Sequence, residues 1–529
     1  MLKATSCCGG MLSAPHHLAA QSGAAVLREG GNAVEAMVAA AATIAVSYPH
    51  MNGIGGDGFW LIAEPGKAPM AIRACGPGAQ LATRDFYVGE ASIPTRGPRA
   101  ALTVAGAIGG WQRALEIAVR LGGRMPLPRL LDDAIHHAKT GVPVTRSQAH
   151  LTRSKWPELE HVPGFAQTFA QTFTPNGLPA EGDTQTQPRL AATLEQLAHA
   201  GLDDFYRGDV ARSMARDLEG LGSPLRLGDL ENYRAEEVTP LFADLGVGRI
   251  FNLPPPTQGV SALAILGIFD KLGVRDAESF AHVHALVEAT KRAFRWRNAH
   301  CGDPRYMTAD AQAFLSAESL AREAASIDLL RAAPWPEIAK PGDTIWMGAA
   351  DRKGCVVSYI QSVYWEFGSG VVLNESGVQW QNRGASFTLH DGPNALQPGR
   401  LPFHTLNPSL AQLKDGRVIA YGTMGGEGQP QTQAAVFSRH VLFGQDIQAA
   451  VTAPRWLLGR TWGEESTNLK LESRFDPALY DALRAAGHDI QILGAFEDSM
   501  GHAGAVSFHA GGLIEGATDP RADGICATC

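Results

Sequence analysis

Where the chain reads KPGDTIWMG, residues 340–348, a Pro-Gly-Asp turn delivers it to Thr344, and an apolar, β-prone run follows at once. A hydroxyl at that hinge is a candidate nucleophile, although a threonine there can also do no more than open a strand. Further on, YGTMGGEGQPQTQ (421–433) ends an expected strand in Gly425 and Gly426. Two successive glycines after a strand can turn their backbone N–H groups toward one point, which is how an oxyanion is held; a plain turn is the alternative. Other motifs lead nowhere. GIGGDG (Gly53, Gly55, Gly58) matches the dinucleotide fingerprint letter for letter. That chemistry needs a strand before it and a helix after it, and here a helical Ala-rich run precedes and the strand FWLIAE follows. A tight turn is the better reading. The pairs His16-His17 and His136-His137 lack HExxH spacing or a carboxylate one helical turn away, so they read as solvent-facing or capping residues. The terminal CATC (Cys526, Cys529) has CxxC spacing but no second ligand pair, and reads as a free, frayed tail.

The bulk numbers narrow the function classes. A chain of 529 residues with 45% apolar content and a mean hydropathy of −0.08 is that of a water-soluble globular protein. A net charge of −8 and a pI near 6.1 argue against nucleic acid as a partner, since phosphate backbones call for concentrated Lys and Arg. Residues 33–48, AVEAMVAAAATIAVSY, are short, Ala-rich and contain Glu35, so they suit a buried helix and not a membrane span. With no apolar core of export-signal length at the N-terminus, the cytoplasm is the expected compartment. Seven cysteines, an odd number without even spacing, suit a reducing environment.

Two helices are expected over 16–48, parted by the turn Glu29–Asn32, and two strands over 59–74 around EPGKAP. Residues 105–235 read as mostly helical. GRIFNLPPPTQGVSALAILGIFDKLG couples a strand to a Pro-rich turn and a helix, and FAHVHALVEATKRAFRWRNAHC is a further helix. Residues 310–343 have little pattern. Beyond Thr344, CVVSYIQSVY, GVVL, RVIAYGTMGG and AGAVSFHAGGLIEGA read as strands, with helices around TQAAVFSRHVLFGQ and FDPALYDALRAAG. A helix-rich first two-thirds therefore meets a strand-rich last third at Thr344.

In order and spacing, these pieces resemble the γ-glutamyltransferase family, a branch of the N-terminal-nucleophile hydrolases. The resemblance is carried by GGNAVEAMVAAAATIAV before GIGGDGFWLI, by IRACGPGAQLATRDFY, by the middle segment DDFYRGDVARSMARDLEGLGSPLRLGDLENYRAEEVTPL, and by LPPPTQG, HALVEATKRAFRWRNAHCGDPRY and GATDPRADG. Most specific is Thr344 followed by Asp351, Gly354 and a strand. It implies an α+β, four-layer αββα sandwich and a precursor that breaks its own Asp343–Thr344 bond. The products would be a large subunit, 1–343, and a small one, 344–529, paired as a heterodimer in one compact domain, with pairing of heterodimers left open. Once Thr344 is an N-terminus, its α-amine, with a pKa near 8 in model peptides, can take the hydroxyl proton. The resemblance also gives Gly425 and Gly426 as the oxyanion hole, Ser362 as the hydroxyl near the new amino terminus, and Arg73 as the ligand of the substrate carboxylate. No cofactor, metal, nucleic acid or membrane is implied.

The sequence departs from the family pattern in the substrate pocket. The aspartate that grips a substrate ammonium aligns with Ser386, an asparagine with Tyr364, and paired serines with His404 and Thr405, while Arg383 replaces a neutral side chain. Losing a carboxylate and gaining an arginine favours an anion without an ammonium group, because an unpaired buried ammonium costs roughly 1–3 kcal/mol or more. One carboxylate beside one amide is oxamate, and the resemblance implies its hydrolysis to oxalate and ammonia, with His404, Thr405 and Arg383 lining the carboxylate end. A γ-glutamyl hydrolase or transferase, a cephalosporin-acylase-like amidase and a catalytically dead scaffold remain as alternatives.

Overall fold

The computed structural model describes residues 2–335, 343–459 and 466–529. The expected Pro341-Gly342 turn and the linker before it lie outside the described residues. Strands form where β-branched and aromatic residues recur, in chain order β1 (Thr5–Cys7), β2 (Gly10–Ala14), β3 (Asp57–Ala63), β4 (Met70–Ala74), β5 (Glu236–Val238), β6 (Leu241–Leu245), β7 (Gly248–Asn252), β8 (Asp343–Asp351), β9 (Val356–Tyr364), β10 (Ser409–Leu413), β11 (Val418–Thr423), β12 (Ala503–Phe508), β13 (Ile514–Thr518) and β14 (Ile525–Thr528). They make two antiparallel seven-stranded sheets, β1-β13-β12-β11-β10-β7-β6 and β14-β2-β8-β9-β3-β4-β5.

Each sheet is apolar on both faces, which is why helices cover the outside. One layer, including His17–Arg28, Ala33–Ser47, Ala107–Arg120 and Leu127–Thr140, packs on the β8–β9 sheet, and Gly259–Leu272, Phe280–His300 and Gln429–Phe437 pack on the other. A third core lies between the sheets. The arrangement is the expected αββα sandwich. The helix Ala33–Ser47 is buried along its whole length and starts at a reciprocal cap: Asn32 accepts from Val34 and Glu35 N–H, and Glu35 accepts from Asn32 N–H at 2.8 Å.

Strand β8 shows how alternation places the site. Ile345, Met347 and Ala349 face the helices, whereas Trp346 and Ala350 face the opposite sheet. The Trp346 ring lies over glycines: a Cβ on Gly422 would fall 2.1 Å from Cδ1, on Gly504 2.5 Å from Cζ3 and on Gly348 2.6 Å from Cη2. Its Nε1 donates to Ser358 Oγ at 3.0 Å.

Three local expectations need correction, and of the two readings of His16, solvent-facing or capping, the structure bears out the second. Residues 310–343 are not patternless throughout: Asp310 and Ser316 cap the helices Ala311–Phe314 and Ala317–Ala325. GVVL forms no strand and holds only a bridge from Val372 to Gln379. His16 is fully buried, caps the first helix through Nδ1 and stacks on His17. The C-terminal cysteines are not a frayed tail, since β14 pairs with β2, Cys526 opposite Ser13, and Cys529 N–H donates to Gly10 O.

Gly422→Ala is expected to lower unfolding free energy by about 1–3 kcal/mol, because the new methyl collides with an indole that has no room to retreat. In chemical denaturation the pair Gly422→Ala and Trp346→Phe should be less destabilised than the sum of the two single changes.

Candidate active site

Thr344 is fully buried as the second residue of β8. The β8–β9 register runs from Ala350↔Val356 to Ile345↔Gln361 and then slips, so that Asp343 faces Tyr364. This irregularity sets Thr344 opposite the end of β9, where bulges commonly re-aim a side chain. Ser362 belongs to the same neighbourhood: its Oγ accepts from Tyr364 N–H at 2.7 Å, and across the next ladder it faces Asp57. From the other sheet, Gln429 Nε2 donates to Thr344 Oγ at 3.3 Å, while its Oε1 accepts from Asn407 N–H.

Gly425 and Gly426 follow β11 with φ of 115° and 51°, a left-handed conformation that side chains resist. The turn is fixed from behind. Gln258 Nε2 donates to both Gly426 O (2.8 Å) and Thr405 O (2.7 Å), and Gln258 Oε1 accepts from Arg297. Arg297 in turn pairs with Glu427 at 2.6 Å, with both groups buried. One glutamine therefore ties the glycine turn to the His404–Thr405 segment.

The pocket beside these groups is polar, buried and short of partners. Arg383 is 1% exposed, and among the described residues none of its three guanidinium nitrogens has a hydrogen-bond partner; the group lies 3.6 Å from the centre of the Tyr364 ring. Burial pulls its pKa down to about 10, against the favourable fields of Tyr364, Asp57 and Cys75. Tyr364 holds φ at 85°, a strained value for a bulky residue and one that clusters at functional sites. Among the described residues, both ring nitrogens of His404, Thr405 Oγ1 and Ser386 Oγ are buried without hydrogen-bond partners. Burial, then Arg383, holds the His404 imidazole well below its ordinary pKa, so it is neutral. Its Nε2 lies 3.2 Å from Asp57 Oδ2.

Arg73 stands apart from this pocket. It projects from β4 into a cleft of about 400 Å³, also lined by Cys75, Tyr233 and Arg305, and its guanidinium is held by Glu236 at 2.5 Å. Carrying the β3–β4 register one rung beyond Gly58↔Ala74 sets Cys75 opposite Asp57, so the cleft borders the buried pocket. The structure thus gathers Thr344, Ser362, Tyr364, Arg383, His404, Thr405, Gly425 and Gly426, with Arg73 one step away.

Asp57, Gln258 and Gln429 were not singled out from sequence. The signal for Asp57 was an acidic residue inside a glycine turn that opens an apolar strand. A metal-like cluster lies elsewhere: ligand atoms of His284, Glu288 and His488 fall within 4.8 Å of one another. Its groups are already engaged, His284 with His488 at 2.8 Å and Glu288 with the Lys291 ammonium at 2.6 Å, so a cation would meet a charge of its own sign.

Replacing Gln258 with Leu removes the tie behind the glycine turn while leaving the pocket-facing groups in place. It is expected to lower kcat roughly tenfold or more, as misplacement of reacting groups does, with a smaller change in KM. Steady-state kinetics on fully matured protein checks this.

The family model described as gamma-glutamyltranspeptidase matches residues 19–529. The oxamate amidohydrolase proenzyme of Klebsiella pneumoniae is 55% identical over 520 residues, covering 98% of each chain. The glutathione hydrolase-like YwrD proenzyme of Bacillus subtilis is 36% identical over 523 residues, 97% of each. Among solved structures, the cephalosporin acylase from Bacillus halodurans superposes with a TM-score of 0.92 at 31% identity, covering 100% of this chain and 97% of that one. On family model and relatives together, the chain belongs to the gamma-glutamyltranspeptidase family.

Proposed function

We propose that the protein is a self-processing N-terminal-threonine amidohydrolase that converts oxamate and water to oxalate and ammonia. The observation that carries the substrate class is the buried Arg383 guanidinium, which lies on Tyr364 and has no acceptor among the described residues. A buried fork of that kind suits one small carboxylate held in two places. The relative named an oxamate amidohydrolase proenzyme supports the substrate, and the proenzyme names of both relatives support maturation by cleavage.

Scission of Asp343–Thr344 separates 1–343 from 344–529 and gives Thr344 a free α-amine. That amine takes the hydroxyl proton, Oγ attacks the amide carbon, and the oxyanion forms against the backbone of Gly425 and Gly426. Collapse expels ammonia, the departing nitrogen taking up the proton, and leaves an oxalyl ester on Thr344. Water then attacks the ester through the same amine and releases oxalate. Ser362 orients the new terminus. Of the two arginines, Arg383 takes the carboxylate, with His404 and Thr405 beside it, because the Arg73 guanidinium is already held by Glu236. Arg73 lines the approach.

Thr344→Ala should run as one band on a denaturing gel and release no ammonia from oxamate; two bands, or activity, would refute the nucleophile. A panel of oxamate, glutamine, glutathione and a glutaryl amide, scored by ammonia or product release, should show oxamate as the preferred donor. Arg383→Lys keeps the charge and loses the fork. It should still mature while losing roughly thirtyfold or more in kcat/KM, the lower end of the cost of breaking a buried hydrogen-bonded charge pair. Arg73→Ala should lose less, and the reverse order would return the carboxylate to Arg73.

A further inference from the structure

Asp57 opens β3 inside the pocket wall and is 1% exposed. Its two oxygens differ. Oδ1 accepts from Gly106 N–H at 3.0 Å and from Gln381 Nε2 at 3.2 Å, whereas Oδ2 makes no well-aligned hydrogen bond among the described residues and lies 3.2 Å from His404 Nε2; the Gly76 N–H also acts on the carboxylate. Among the described residues, His404 lies against it, and the titratable groups within its electrostatic reach are Arg383, Cys75 beyond β4, Tyr359 of β9, Tyr206 of the helical layer and Tyr233 in the loop before β5. Burial keeps the thiol and the three phenols protonated and His404 neutral, so Arg383 is the charged group among them.

One guanidinium can compensate one buried carboxylate, not two. A substrate carboxylate arriving on Arg383 brings the second. Resting on the assignment of that carboxylate to Arg383, we propose that Asp57 is the switchable counter-charge of the anion site: ionised before substrate binds, and protonated from solvent while a carboxylate lies on Arg383. The proton returns to solvent when the product leaves. The protonated form donates its O–H to His404 Nε2, which fixes the imidazole's own proton on Nδ1 as a donor. An ammonium-bearing ligand would instead keep Asp57 ionised and draw in no proton, so the residue separates the two substrate classes by charge.

The free group is suitably poised, since burial raises its pKa to about 7 against the opposing pull of Arg383. Below that pH Asp57 already carries the proton and binding takes up none. Above it, the proton has to be acquired, and carboxylate affinity falls as pH rises.

The test uses mature enzyme and oxalate as the probe, titrated calorimetrically at pH 8 in buffers of different ionisation enthalpy. The wild type should take up close to one proton more per oxalate than Asp57→Asn. Above pH 7 its affinity should fall about tenfold per pH unit relative to the variant. The α-ammonium of Thr344 contributes equally to both proteins and cancels. In case Asp57→Asn does not mature, the infrared difference spectrum of wild type on adding ¹³C-oxalate should show the C=O stretch of a newly protonated carboxylic acid. Equal proton counts in the two proteins, or no such band, overturn the assignment. Oxamate turnover is scored separately. Turnover without the proton difference removes the role of Asp57 and keeps the substrate, whereas proton uptake with oxalate but no turnover of oxamate does the opposite. Failure of oxalate to bind removes the role of Asp57 together with the Arg383 site.

Discussion

Strand β8 is hydrogen-bonded along both edges, to β2 on one side and β9 on the other, and that pairing positions Thr344 against Ser362 and Tyr364 at the end of β9. The strand is locked against sliding by Trp346, which fills the space over Gly348, Gly422 and Gly504. The same pairing would make the proposed self-cleavage compatible with stability. The segments before and after residue 344 interleave through five ladders: β14–β2, β2–β8, β9–β3, β1–β13 and β10–β7. Breaking one peptide bond at the head of β8 would free an amine without freeing the strand that carries it.

Electrostatics then decides what can sit beside Thr344. Arg383 gives up hydration for the face of one aromatic ring and the field of a nearby carboxylate, a poor exchange for a charge whose three nitrogens find no hydrogen-bond partner among the described residues. Tyr364 adds backbone strain, and neither would persist unless the surrounding structure imposed it. Local costs of this kind, collected in one pocket, are the mark of a site whose energy is recovered on binding.

Much of this was legible in the chain. The helix–turn–helix of 17–47 follows from a capping asparagine and an Ala-rich run, and Thr344 stood out because a turn and a change of texture meet there. Gly425 and Gly426 stood out as tandem glycines after a strand, but a plain turn fitted them as well, and their oxyanion role came from the family resemblance. Asp57 was hidden because GIGGDG was judged only as a nucleotide motif, and once that reading failed its one acidic residue went unweighed. Gln258 and Gln429 were out of reach for a different reason. Their importance lies in contacts across 147 to 168 and 85 residues of chain, which no local pattern encodes. The C-terminal cysteines were misjudged in the same way, because β14 exists only by virtue of β2, at the opposite end of the sequence.

Asp57 also changes the reason the pocket disfavours an ammonium. From position 386 alone the pocket has lost its carboxylate, and rejection would follow from absence. The structure restores a carboxylate at position 57, so absence no longer suffices. One of its oxygens is already taken by Gly106 and Gln381, and the other abuts His404. An ammonium would have to displace a buried imidazole and still lie within the field of Arg383, a cation that repels it. A carboxylate meets neither obstacle once Asp57 is neutral. On the proposed assignment, selectivity would rest on which of Arg383 and Asp57 can give up its charge cheaply: the arginine, with its high intrinsic pKa, holds its proton across the physiological range, and the aspartate does not.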